Sequence, residues 1–213
     1  MDDQEPQDLK DRIAGLLSSR RQHRPAGRPV LIGVAGGTAS GKSTLARALA
    51  DRLQPLRVRV IGQDTFFKPV AELPTFPSPS RDRPWPDYNR PDSFKVNTML
   101  ECCRSLDSLD VAVLEGILVL SYPEARELMD LRLYVEADAD ERIVRRIRRN
   151  LQNGMSLEDV ADYYLESVRL QHERYNAPTR SYADLIIPGG SAQQATREMQ
   201  LNTLVRAIRS QAA

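Results

Sequence analysis

Val30-Leu31-Ile32-Gly33-Val34-Ala35-Gly36-Gly37-Thr38-Ala39-Ser40-Gly41-Lys42-Ser43-Thr44 passes from a short apolar run through a glycine-rich turn into a helix-forming segment. Residues 36–43 satisfy G-x-x-x-x-G-K-[ST], and they sit between a strand and a helix, the context that gives the pattern its meaning. The spacing follows from anion chemistry. Glycines let successive main-chain N–H groups turn inward without a Cβ clash, so that the loop forms a nest at a helix amino terminus, where partial positive charge favours phosphate. Lys42 adds a full mobile charge for the β- and γ-phosphates, and the Ser43 hydroxyl suits Mg²⁺. The expected cradle is therefore Gly36, Gly37, Thr38, Ala39, Ser40, Gly41, Lys42, Ser43 and Thr44, and its ligand a nucleoside triphosphate such as ATP with magnesium.

Outward from this loop, short apolar runs alternate with helical segments, the order that builds a mostly parallel sheet covered by helices on both faces. The pattern predicts strands at 30–35, 58–62, 111–115, 131–135 and 184–187, hence five strands in an α/β domain. It predicts helices at 42–54, 93–106, 121–129, 138–152, 157–174 and 192–211. The last carries Leu201, Leu204, Val205 and Ile208 on one face, which should pack on the sheet. Residues 1–28 are read as an amphipathic helix (5–22, with Leu9, Ile13, Leu16 and Leu17) that docks on the domain and ends in the basic linker Arg20-Arg21-Gln22-His23-Arg24-Pro25; the domain proper is 29–213. Seven of the fourteen prolines fall between Pro69 and Pro91. Residues 68–92 can therefore be neither helix nor central strand, and their charges and aromatics fit a loop that covers a substrate.

Three clusters extend the site. Asp64 follows the second strand at the carboxyl edge of the sheet, where ligands bind in open α/β folds; there it can accept a hydroxyl proton or hold a magnesium water. Glu115 ends the strand Val111-Ala112-Val113-Leu114 and is placed to position magnesium together with Ser43. In residues 140–149, Arg142, Arg145, Arg146 and Arg149 share one helical face. Phosphoryl transfer needs guanidinium groups to neutralise moving charge, so 138–156 is read as an arginine-rich lid in which at least one of these arginines reaches the nucleotide; Arg146 is taken as the catalytic candidate, and solvation or pairing with nearby acids is the alternative for the others.

Composition narrows the partners. With 41% apolar and 28% charged residues, the 213-residue chain supports a folded core, and a formal charge of +1 gives no overall field for nucleic acid or an anionic membrane. The acidic start and the short apolar runs predict no secretion signal and no membrane span, hence cytoplasmic residence. Adjacent Cys102 and Cys103 suit neither a disulfide nor a metal site.

With these residues assembled, the chain resembles the uridine kinases, P-loop kinases related to phosphoribulokinase and nicotinamide riboside kinase. The resemblance spans about residues 29–210 and rests on the loop from Ile32 to Ser43, on Glu115-Gly116-Ile117-Leu118, on Asp138-Ala139-Asp140-Glu141-Arg142 with Arg145-Arg146, and on Pro178-Thr179-Arg180-Ser181-Tyr182-Ala183-Asp184-Leu185-Ile186-Ile187-Pro188. It implies a P-loop kinase fold and phosphorylation of a nucleoside-like small molecule, with Asp64 as base, with Lys42, Glu115 and Arg146 as its catalytic companions, and with Asp64, Phe67, Asp87, Tyr88 and Asn89 facing the acceptor. Gln63-Asp64-Thr65-Phe66-Phe67-Lys68-Pro69 is also similar to the corresponding stretch of nicotinamide riboside kinases, which keeps that acceptor, or another sugar alcohol, open. The chain departs from uridine kinases in three places. Only Asp107-Ser108-Leu109-Asp110 stands where they carry a pyrimidine-reading hairpin; Asn89 replaces their ribose-binding Asp, with Asp87 nearby; and Asn153-Gly154-Met155 replaces Arg-Gly-Arg. From another class, an ATP-binding regulator without an acceptor remains the alternative, whereas a guanine-nucleotide switch would carry an Asn-Lys-x-Asp element that the sequence lacks.

Overall fold

The computed structural model describes residues 4–22, 24 and 27–212, so His23 and Pro25 of the basic linker and the acidic start at residues 1–3 lie outside the described residues. Its strands are β1 (Val30–Gly36), β2 (Val58–Gly62), β3 (Thr75–Phe76), β4 (Trp85–Pro86), β5 (Val111–Glu115), β6 (Leu131–Glu136) and β7 (Leu185–Pro188). Five of them form one parallel sheet in the order β2-β5-β1-β6-β7, as the alternation predicts. β3 and β4 form a separate antiparallel pair inside the proline-rich loop. The helices are α1 (Gln4–Arg21), α2 (Lys42–Leu53), α3 (Val96–Arg104), α4 (Pro123–Leu128), α5 (Ala139–Gln152), α6 (Leu157–Tyr163), α7 (Arg169–Gln171) and α8 (Gln194–Ala212).

Because side chains alternate along a strand, the central strands feed two cores. Val30, Ile32, Val34, Val111 and Val113 face one side, where Leu45 and Leu49 of α2 and Leu201, Leu204 and Ile208 of α8 cover them. Leu31, Ala35, Ala112 and Leu114 face the other, against Met99 and Leu100 of α3 and Ala125 of α4. Helix α1 closes the first core: Ile13 is 2% and Leu17 0% exposed. Its Arg20 donates two hydrogen bonds to Asp184, at 2.6 and 2.7 Å, beside a pairing from Arg132. Burial alone would raise the Asp184 carboxyl; the bonds from Arg20 and Arg132 overrule it and hold it below the usual carboxylate range.

Several boundaries differ from the pattern. Residues 93–95 precede α3 as the end of a 3₁₀ turn (Pro91–Ser93) and an extended link, because Pro91 favours a turn start. The expected helix 157–174 continues past its end: α6 and α7 are links in a helical run that includes π-helical segments at Tyr164–Val168 and His172–Asn176 and a 3₁₀ turn at Ala177–Tyr182. Each π turn inserts a residue and rotates the downstream side chains about the helix axis, a displacement to which a 3.6-residue period is blind. Among the described residues no helix is long and apolar enough to cross a membrane.

Replacing a fully buried leucine with alanine removes packing and leaves a cavity. Leu17→Ala is therefore expected to lower stability by about 2–5 kcal/mol in urea denaturation with turnover retained below the transition; a loss under about 1 kcal/mol would show that α1 does not share the core in solution.

Candidate active site

The strand register sets the geometry. Glu115 lies level with Val34 of β1 on one side and Gly62 of β2 on the other, two residues before Gly36 and two before Asp64 respectively. The phosphate loop, the Glu115 carboxylate and the Asp64 turn (a 3₁₀ turn, Gln63–Phe66) thus emerge side by side from the carboxyl edge of the sheet.

In the loop, Gly36 has φ of +149°, and a Cβ there would meet the Val135 carbonyl at 2.5 Å and Ser40 Oγ at 2.6 Å. Gly41, at φ +101°, caps α2 in the left-handed region. Among the described residues, the first-turn amides of Lys42, Ser43 and Thr44 have no main-chain acceptor, and the buried Ser40 Oγ has no partner. Donors held together without acceptors fit a polyphosphate. Burial pushes the Lys42 ammonium down, the Glu115 and Asp64 carboxylates push it up, and Arg149 and Arg142 oppose them. The lysine therefore sits among all four groups.

Two cavities meet at Lys42. The larger, about 530 Å³, is bounded by Ser43, Thr44, Arg145 and Gly189, and by Arg197 of α8. The smaller, about 310 Å³, holds Asp64 beside Lys42 and Thr38, and opposite them Phe67, Trp85, Tyr88 and Asn89. Its aromatic wall is built by cross-packing: Phe67 stacks on Phe94 at 4.4 Å and meets Tyr88 edge-on at 5.2 Å, and Trp85 meets Tyr163 edge-on at 5.0 Å. The β3–β4 pair supplies Trp85, so the proline-rich loop folds over this cavity, where no hairpin follows α3.

Arg142, Arg145, Arg146 and Arg149 of α5 divide instead of acting alike. Arg146 donates to Thr38 Oγ1 at 3.1 Å and, with Arg149, lines the smaller cavity; Arg149 borders both. Arg145 bonds the Gly189 carbonyl at 3.0 Å and Glu141 at 2.7 Å on the larger side. Arg142, expected at the nucleotide, borders neither cavity; it lies buried beneath Gly37 of the phosphate loop, with Nε donating to the Ala137 carbonyl at 3.1 Å and a terminal nitrogen 3.3 Å from His172. Asp87, expected at the acceptor, is also set back. Its carboxylate is buried behind Asn89, with both oxygens bonded within the protein, and it borders neither cavity.

Other residues carry no motif and were invisible in the sequence. Asn176 bonds the carbonyls of Gly36, at 3.2 Å, and Ile117, and accepts from the Tyr134 hydroxyl at 2.7 Å, tying the phosphate loop to the segment after Glu115. Glu166 accepts from the Ser78 hydroxyl and, at 3.2 Å, from the Ser80 amide, and Arg81 pairs with Asp159 while lying 3.9 Å over Trp85. These contacts fasten the proline-rich loop to the segment after α5. Their only signal was the charge in an otherwise proline-rich stretch.

Sequence comparison agrees with the geometry. A family model described as phosphoribulokinase / uridine kinase family matches residues 89–196, half of the chain. The uridine kinase of Clostridium botulinum is 33% identical over 200 residues, 82% of this chain and 95% of that one. The chain belongs to the phosphoribulokinase / uridine kinase family. Another family relative, the uridine kinase of Halalkalibacterium halodurans, is 34% identical over 207 residues, covering 85% of this chain and 95% of its own. Solved structures share the fold: D-glycerate 3-kinase from Cryptococcus neoformans superposes with a TM-score of 0.56 at 12% identity, over 87% of this chain and 96% of that one. Shikimate kinase from Acinetobacter baumannii gives 0.54 at 15%, over 86% and 96%. The fold is thus that of the P-loop kinases.

Two outcomes test this geometry. Glu166→Ala releases the proline-rich loop and should raise the acceptor KM several-fold while leaving the KM for ATP within about twofold, as read by steady-state kinetics. The His172 imidazole, beside Gly37, has its pKa pushed down to about 4, first by burial and then by the Arg142 charge, with neighbouring Asn176 opposing them weakly. Its folded pKa lies below the ordinary 6.5, so the unfolded chain binds the proton more readily and stability falls as pH drops from about 6.5 towards 4. His172→Gln should flatten that fall in thermal-unfolding scans; equal slopes in variant and parent would exclude the buried imidazole as its source.

Proposed function

We propose that the protein transfers the γ-phosphoryl group of ATP to the 5′-hydroxyl of a ribonucleoside, with uridine the first candidate because the curated relatives are uridine kinases. As a family member it is a phosphotransferase with an alcohol acceptor. One observation carries the finer reading: two cavities abut at Lys42, and Asp64 stands only on the side of the aromatic one. The triphosphate fits the larger cavity against the unsatisfied amides, its terminal phosphate pointing past Lys42. A flat base fits between Trp85, Tyr88 and Phe67, where area burial and stacking favour aromatic partners.

In this arrangement Asp64 orients the acceptor hydroxyl and takes its proton as the oxygen attacks phosphorus in line with the departing ADP. Lys42, Arg146 and Arg149 hold the transferring group between the two oxygens, and closure of α5 as a lid would keep water from competing. Ser43 and Glu115 are the residues to hold magnesium. Among the described residues no three His, Cys, Asp or Glu side chains cluster as a metal cage, so the remaining ligands are phosphate oxygens and water. Bound there, the cation would neutralise charge on the polyphosphate.

A second reading, a nicotinamide riboside kinase, is favoured by the aromatic wall, which suits a cationic ring; Arg146 and Arg149 in the same cavity oppose it. Product analysis over a panel of nucleosides and nicotinamide riboside separates the two. Asp64→Asn should lower kcat by about 10²–10⁴-fold with ATP affinity nearly unchanged. Near-normal turnover in that variant would remove Asp64 as the base.

A further inference from the structure

Asp87 is 0% exposed, and among the described residues no ion pair reaches it. Its carboxylate is instead met by neutral donors. Oδ1 accepts from the Asn89 main-chain N–H at 2.9 Å, the Asn89 side-chain amide at 3.3 Å and the Ser167 hydroxyl at 3.0 Å, and Oδ2 accepts from the Gln171 amide at 2.9 Å. A buried carboxylate held this way is expensive to keep unless it does something the apolar alternative could not.

The Asn89 amide shows what that is. A carboxylate only accepts, so Nδ2 of Asn89 must face it. The same Nδ2 lies 3.3 Å from the Tyr163 hydroxyl, and that hydroxyl is oriented by donating to the Pro86 carbonyl at 3.0 Å while accepting from the Tyr88 amide at 3.1 Å. Turning the amide over would set its carbonyl against the Asp87 carboxylate. The Asn89 oxygen is therefore the end left over, it has no partner within the described protein, and Asn89 borders the cavity that holds Asp64.

We propose that Asp87 is a positioning residue that locks the Asn89 amide with its oxygen towards the acceptor cavity, so that this wall selects acceptors carrying hydroxyl donors remote from the reacting one. The negative charge one layer behind polarises the amide and strengthens the bond its oxygen accepts. The inference rests on the ribonucleoside reading above and names the feature of the sugar that the site reads.

The test compares uridine with 2′-deoxyuridine and 2′,3′-dideoxyuridine in the parent, Asp87→Asn, Asn89→Asp and the double exchange. In Asp87→Asn the amide is free to turn over, and the uridine KM should rise about tenfold with kcat nearly unchanged, while the KM for the dideoxy compound stays put. Asn89→Asp alone sets two carboxylates in contact and should be worse. In the double exchange the amide introduced at position 87 donates to the carboxylate introduced at position 89, and the uridine KM should return to within about threefold of the parent. Should either single variant fail to fold in a thermal scan, the double exchange still decides. Equal KM changes for uridine and its dideoxy analogue, or a folded double exchange that regains no preference for uridine, would overturn the inference while leaving the kinase reading intact. A parent enzyme that phosphorylates no nucleoside overturns both.

Discussion

The site depends on one electrostatic mismatch: donors gathered at the start of α2 with nothing in the chain to accept from them. Helix geometry leaves the first-turn amides without intrahelical acceptors, and the loop before α2 adds no carbonyl to receive those of Lys42, Ser43 and Thr44. Such a cluster suits a polyanion, and the Glu115 and Asp64 carboxylates offset the positive charge that Lys42 adds to it. Every other functional placement is measured from this cradle. The sheet register sets Glu115 and Asp64 beside it, and α5 lays its arginines across it.

Around the cradle, the smaller cavity takes its aromatic wall from the proline-rich loop. The short link after α3 leaves no hairpin there, and β3 and β4 of the proline-rich loop bring Trp85 over the cavity instead. Prolines suit this role because they fix the backbone of a segment too irregular for a ladder, lowering the entropy lost when the loop settles over a ligand. The bonds from Ser78, Ser80 and Arg81 to Glu166 and Asp159 then couple that loop to the helical run after α5. The two walls of the smaller cavity are thereby tied to one another.

Asp87 and Asn89 show how a polar pair can be read at one level and misjudged at another. The resemblance to uridine kinases offered both as acceptor contacts. Packing gives them different work: one lies fully buried and the other borders the cavity, because Ser167 and Gln171 of the helical run come down on Asp87. A π turn (His172–Asn176) follows, and Gln171 bonds Asp87 while Asn176 bonds the Gly36 carbonyl at a separation of five, a spacing that an uninterrupted α-helix would place on different faces.

The sequence by itself determined the phosphate loop, the five parallel strands and the edge positions of Asp64 and Glu115. Those features are local: a glycine pattern dictates backbone shape, and apolar alternation dictates which runs become strands. Tertiary structure alone decided that Arg142 sits beneath the loop while Arg146 borders the smaller cavity and Arg149 both, that Asn176 and Glu166 tie the surrounding segments together, and that Asp87 lies behind Asn89. Four arginines spaced along one helix look equivalent in one dimension. What separates them is the identity of the element each meets after the chain has crossed the sheet, and no periodicity along the chain encodes a neighbour a hundred residues away.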